Sequence, residues 1–248
     1  VDLSKSKVLS QVVIAARSSI MTSYKLELFR RKIMVHLNEY QLLNLKFNRS
    51  RAALHMINPK HINASTLLKQ FIDQVPIRSF QALKRDSVPW HVELIGEGAT
   101  DAGGPARDLF TQMCMEIMHN STGLFVITPN KRNMIGPNQE VLIPNSNSYS
   151  SIKQQMFIYS GLLIAIAFVS RIPQPFRFAD FVWAYFTGKN LTIEDIYSVD
   201  TLFEKLMKEI ENGEIDDIEA EKRGLTFTVM DSHSNSVELF TGGRGVRV

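Results

Sequence analysis

With 248 residues, the chain is long enough to bury a sizeable core as one large domain or two small ones, and 44% apolar with 21% charged residues is an ordinary globular composition. A formal charge of +3 is too small to imply a nucleic-acid partner, and the single cysteine, Cys114, excludes a disulfide within the chain. That cysteine usage suits a reducing compartment, cytosol or nucleus. The charge is uneven. Residues 1–60 hold eleven Lys and Arg against three Asp and Glu, which leaves −5 for the remainder. The basic residues alternate with apolar ones, so they read first as solvated helix faces, and second as a surface for an acidic partner. The chain opens on Val1 and is read as a fragment whose N-terminus carries no targeting information.

Residues 1–58 contain no Gly or Pro, and Leu26, Phe29, Ile33 and Leu37 recur at helical spacing, which predicts two or three helices ending before Pro59. Residues 64–75 form another helical pattern, with Leu67, Leu68, Phe71 and Ile72 on one side. Trp90, Val92 and Leu94 alternate with His91 and Glu93 as in a strand. A glycine-rich run, residues 96–108, follows, with Pro105 at the start of a helix whose stripe is Ala106, Leu109, Phe110, Met113 and Ile117. Residues 124–127 and 141–143 read as short strands around a polar, turn-like stretch at 129–138, and 145–151 as a second polar loop. Residues 156–170 predict a buried core helix, whose apolar run is too short for a membrane span. Pro173 and Pro175 break it, and another helix begins at Phe178. Thr192 to Asp195 has the form of a capping box, and Asp200 caps a helix running to about Asn212. The acidic stretch from Glu209 to Glu221 reads as a helix end and a solvated loop, and residues 225–229 with 237–239 as a β-hairpin. The pattern is α+β and mainly helical, with small antiparallel sheets.

The glycine run invites a phosphate loop, but Gly104 stands where that loop needs Lys, and Asp101 stands where a dinucleotide fingerprint needs Gly. Its structural reading is a strand-to-helix turn in which Asp101 ties down loop amides. The six histidines show no ligand spacing, so no metal or other cofactor is expected. Cys114 lies between Met113 and Met115 beside an apolar stripe and reads as an inert core thiol. No catalytic constellation emerges.

The run Gly96-Glu97, then Asp101-Ala102-Gly103-Gly104-Pro105-Ala106-Arg107-Asp108, resembles the signature of HECT-type ubiquitin ligases, with Asp108 in place of the usual Glu. Gly123-Leu124-Phe125, Gly161, Phe181-Val182-Trp183 and the segment from Gly188 to Ile196 fall in that family's order, so the likeness covers roughly Phe47 to the C-terminus. The resemblance implies the N-terminal lobe of a HECT domain over residues 1–248, with basic N-terminal helices at 1–46. It implies a small subdomain at 191–227 that binds the ubiquitin-conjugating enzyme. The family's second, catalytic lobe carries the cysteine that takes ubiquitin as a thioester and passes it to substrate lysines. That lobe is expected to lie beyond Val248, so the fragment alone should bind and not catalyse. Carried over residue by residue, the family's docking groove falls on Leu202, Leu206 and Leu225, with Leu225 on a facing strand. Glu209 and Asn212 stand where some relatives have apolar groups. Gly96, Glu97, Asp101, Gly103, Gly104 and Arg107 form the structural signature. A Tyr that some members use for a second ubiquitin is replaced by Ser121 and Thr122, so that activity is not carried over. The implied partners are a ubiquitin-conjugating enzyme, ubiquitin through its thioester, and substrates bound outside this chain. No membrane or nucleic acid is implied. The rival reading is a non-catalytic helical adaptor whose basic N-terminal face binds an acidic or nucleic-acid partner.

Overall fold

The computed structural model describes residues 11–12, 15–34, 43–76, 88–98, 103–231 and 235–246. Helix α1 (Thr22–Met34) is followed by strand β1 (Leu43–Phe47), helices α2 (Arg49–Ile57) and α3 (Leu67–Gln74), and strand β2 (Trp90–Leu94). Helix α4 (Gly104–Ile117) leads to strand β3 (Phe125–Ile127), helix α5 (Pro129–Asn133) and strand β4 (Leu142–Pro144). Then come helices α6 (Ser151–Ser170), α7 (Asp180–Phe186), α8 (Ile193–Tyr197), α9 (Thr201–Glu211) and α10 (Asp217–Arg223), and strands β5 (Thr228–Met230) and β6 (Ser236–Glu238).

The core forms where α3, α4 and α6 meet the β1–β2 pair. Alternation in both strands sends Leu45, Phe47, Trp90, Val92 and Leu94 inward and leaves Lys46 and Glu93 outside, where they pair at 2.8 Å. Phe71 of α3 packs on Trp90 at 5.1 Å between ring centroids and meets the edge of Tyr159 of α6 at 5.8 Å. Trp90 in turn reaches Phe110 of α4 at 6.0 Å. The open edge of β1 is covered by two glutamines of α3. Gln74 accepts from the Lys46 amide (2.8 Å) and donates to its carbonyl (2.7 Å), and Gln70 does the same for Asn48 at 2.8 and 3.1 Å. An amide side chain used this way replaces a neighbouring strand.

A buried carboxylate caps α3. Glu116 accepts from the Leu67 and Leu68 amides, each at 2.9 Å, while Thr66 accepts from Lys69 at 3.0 Å. Three of the orphan donors at that helix start are thereby satisfied. Burial nonetheless pushes the Glu116 carboxyl up to about 7, against the pull of those two amides.

The described residues correct five expectations. The first sheet is parallel rather than antiparallel, with Leu43 opposite Trp90 and Phe47 opposite Leu94. Its strand β1 interrupts a stretch expected to be helical throughout, because β1 finds a distant partner. The polar stretch after residue 128 holds α5, opened by the Thr128 cap (3.1 Å from the Lys131 amide) and by Pro129. The core helix is longer and less buried than expected. Over 20 residues α6 is long and apolar enough, by length and composition, to cross a membrane. Met156, Tyr159, Leu163 and Ile166 nevertheless lie in the protein core, and the Tyr159 hydroxyl donates to the Val75 carbonyl. Its other side shows Ile158 and Phe168, and the Phe168 ring meets the edge of Phe29 of α1 at 5.1 Å. Finally, the acidic stretch contains helix α10 rather than a loop. The two short sheets β3–β4 and β5–β6 are antiparallel as expected.

Candidate functional site

The described residues on either side of the glycine turn are fastened to the rest of the fold. Gly103 precedes α4 with φ +93, a conformation that side chains resist. Pro105 then sits in the first turn of α4. Gly96 and Glu97 lie in the turn after β2, Arg107 points to solvent, and Asp101 lies outside the described residues. The joint is made by Arg49, a residue the sequence does not single out. Its guanidinium pairs with Asp108 at 2.7 Å and with Glu97 at 3.6 Å, tying the start of α2 to both ends of the turn. Cys114 is fully buried and burial pushes its thiol up to about 12, so at neutral pH it carries no thiolate.

Residues 191–227 are built differently. Thr192 donates its amide to Asp195 (2.8 Å), which closes the start of α8. Asp200 accepts from Phe203 (3.0 Å) and opens α9, and Asp216 accepts from Glu219 (2.8 Å) and opens α10, which Gly224 ends in the left-handed conformation. The apolar residues of α9, Leu202, Phe203, Leu206, Met207 and Ile210, form one broad stripe. None of them is buried. Leu202 is 46% exposed and Ile210 37%. Phe203 leans on Tyr197 at 6.0 Å.

Leu202 and Leu206 therefore share one half-open surface. Leu225 does not sit on a strand. It follows Gly224 directly, its amide donating to Ala220 (3.0 Å), and β5 begins only at Thr228. An ion-pair chain brings this end of α10 to α9. Glu209 pairs with Arg223 at 2.6 Å and with Lys205 at 3.7 Å, and Arg223 also holds Glu219 at 2.7 Å. Those contacts hold the Glu209 carboxyl below its ordinary range, first through the Arg223 hydrogen bond. Glu209 is thus committed to joining two helices.

A second residue missed by sequence reasoning anchors the segment to the rest of the molecule. Asn130 of α5 is buried. Its Oδ1 accepts from the Thr201 amide (2.8 Å), its own amide donates to Val199 (3.0 Å), and its Nδ2 donates to Pro137 (2.9 Å). Asn138 adds a bond to Ser198 at 2.9 Å. Gly136, at φ +71, backs onto this joint, and a Cβ there would collide with Thr201 Oγ1. The readable signal was Thr128-Pro129, an N-cap followed by proline at the first helical position.

Comparisons with known proteins bear on this region. Residues 111–248 match the model of the HECT-domain (ubiquitin-transferase) family. The match includes all of residues 191–227 and begins just after the glycine signature. The E3 ubiquitin-protein ligase HERC2 of Mus musculus is 30% identical over 150 residues, and that of Homo sapiens 29%. Each alignment covers 60% of this chain and 3% of the relative, so the chain spans a small part of the curated relatives it matches.

Proposed function

The chain belongs to the HECT-domain family of ubiquitin transferases, and we propose that it serves ubiquitin ligation as a docking lobe for the ubiquitin-conjugating enzyme. The observation that carries this reading is α9. It is an amphipathic helix with none of its residues buried, pinned at its N-terminal end by Asn130 and braced at its other end by Arg223. A helix that keeps its apolar stripe half-open has surface to give to a partner.

On this reading residues 191–227 hold a ubiquitin-loaded conjugating enzyme, with Leu202 and Leu206 as apolar anchors and Leu225 at the margin. Ubiquitin then passes from the enzyme's thioester to an acceptor cysteine and from there to a lysine amine. Each transfer is attack on the thioester carbonyl with departure of a thiolate. Cys114 is not that acceptor, since its sulfur is enclosed and protonated. The contribution of these residues is positional, holding the loaded enzyme where its thioester can be reached.

Leu202→Asp tests the reading. The position is exposed enough to take a carboxylate without loss of fold. In an NMR titration of the labelled 248-residue chain with ubiquitin-conjugating enzymes, resonances of residues 191–227 should move. The variant should bind at least about tenfold more weakly, roughly 1.4 kcal/mol. Unchanged binding would place the docking surface elsewhere.

A further inference from the structure

Residues 128–138 are shaped as a socket. Strands β3 and β4 root it on the core, where Phe125 and Leu142 are buried and Ile127 pairs with Leu142. Thr128 closes its mouth. The buried hydroxyl accepts from the Lys131 amide (3.1 Å) and donates to the Asn138 carbonyl (3.0 Å). Inside, the Asn130 carbonyl accepts from the Ile135 amide at 3.0 Å. Met134 at φ +54, Gly136 at φ +71 and Asn138 at φ +59 are all left-handed. Arg171 is the one other non-glycine residue in that conformation among the described residues. Such backbone persists only where its surroundings over-determine it, and it gathers at working parts of a protein.

What the socket holds is the joint between α8 and α9. Asn130 takes the Thr201 amide on Oδ1 and gives its own amide to Val199, and Asn138 gives Nδ2 to Ser198. Gly136 lies so close to the same joint that a Cβ would run into Thr201 Oγ1. The grip ends one residue before Leu202, and none of these bonds involves the side chain of Leu202 or Leu206. A helix gripped at one end turns about that end. α9 has 11 residues, about 16 Å at 1.5 Å each, so a tilt of about 10° at residue 201 would carry its far end about 3 Å. Affinity for a partner seated on α9 depends on the stripe itself. Access to that partner's thioester depends on where the stripe points, because reacting atoms must meet within roughly 3–3.5 Å.

We propose that the socket at 128–138 sets the aim of the docking segment, and that Asn130, Gly136 and Asn138 are positioning residues for ubiquitin transfer, acting on its rate and not on capture of the conjugating enzyme. The proposal rests on the docking reading above and adds residues outside 191–227 that govern the same reaction. They touch neither the partner nor the reacting atoms. They act through the backbone of residues 198–201, which carries α9. An interaction that serves only orientation lowers the maximal rate when it is lost and leaves ground-state binding in place.

The test is single-turnover discharge of ubiquitin from a panel of loaded, purified conjugating enzymes by the full-length protein. Maximal rate and half-saturating concentration are read separately, per folded molecule as fixed by circular dichroism. Gly136→Ala drives a methyl group onto Thr201 Oγ1, so the maximal rate should fall about tenfold while the half-saturating concentration stays within about twofold. Adding Thr201→Ala removes the atom that the methyl meets and should recover most of the lost rate. Asn138→Gly keeps the left-handed backbone and removes only the bond to Ser198, which carries the test if Gly136→Ala does not fold. Its maximal rate should fall about threefold at the same half-saturating concentration. Leu202→Asp, run beside them, should do the reverse and raise the half-saturating concentration about tenfold at nearly unchanged maximal rate. If Leu202→Asp behaves so and the folded socket variants discharge as wild type, the positioning inference fails alone. It also fails if the socket variants raise the half-saturating concentration and leave the maximal rate, since they would then belong to capture. If Leu202→Asp moves neither quantity, or no enzyme in the panel is discharged, the docking reading fails and this inference falls with it.

Discussion

Two regions of this molecule are held by different forces. Around β1, β2, α3, α4 and α6, cohesion comes from enclosed rings and aliphatic side chains: Phe71, Trp90 and Phe110 are buried together, with Leu109 and Met113 beside them. Residues 191–227 bury Tyr197, Val199 and Ala220, and otherwise depend on caps, ion pairs and the Asn130 joint. Burial of apolar area is strong and indifferent to direction, whereas hydrogen bonds and exposed ion pairs are individually weak but fix orientation. The difference teaches where each task can be done. The first region can hold a shape against a load, and the second can keep an apolar stripe open and correctly aimed.

The sharpest way to break that contrast is Phe71→Ala. Removing a fully enclosed ring that bridges Trp90 and Tyr159 should cost about 3–5 kcal/mol. In urea titrations followed by circular dichroism the whole fold should go with it. A loss under about 1 kcal/mol would mean the core is not the source of cohesion.

The next effect is smaller and depends on pH. The Glu116 value of about 7 lies above its ordinary 4.5, so the folded chain keeps a proton that the unfolded chain releases. Stability from this group is therefore full below about 4.5 and is lost as pH rises through about 7. The loss is up to about 3 kcal/mol at ~1.4 kcal/mol per unit. Glu116→Gln keeps an acceptor for the α3 amides and removes the charge. The urea midpoint of the variant should therefore gain on the wild type between pH 5 and pH 8, and a constant difference would remove Glu116 as the cause.

Smallest of all should be Asn130→Ala, which strips the Thr201 amide of its acceptor for about 1–2 kcal/mol. Its location matters more than its size. Amide exchange should quicken in residues 198–211 and stay slow in α4 and β2. Uniform loosening would show that the two regions are one cooperative unit.

These differences also explain what could be read in advance. Pro105 after two glycines, Thr192 with Asp195, and Asp200 before an apolar stripe announce helix starts through local chemistry, and each was found where expected. Strand β1 was not legible, because it carries no Gly or Pro to mark it and its partner β2 lies more than forty residues on. Glu116 reads in sequence as one more polar residue on α4, and only the arrival of α3 gives it two amides to hold. Helix α10 was legible and overlooked. Asp216 followed by Glu219 and closed by Gly224 has both a start and a stop, but its acidic composition suggested a solvated loop. Leu202 and Leu206 were named through the family resemblance rather than by any pattern of their own, whereas Arg49, Asn130 and Arg223 act across 59, 71 and 14 positions of sequence and leave no local pattern.

Cys114 has a consequence for handling the protein. The sole sulfhydryl of the chain is sealed inside the core. The folded molecule is therefore silent to alkylating reagents and maleimide dyes without any substitution. A cysteine introduced on the surface of α9 would be the single reactive position. A fluorophore or photocrosslinker attached there would report on one face alone, against a background the fold has already made inert.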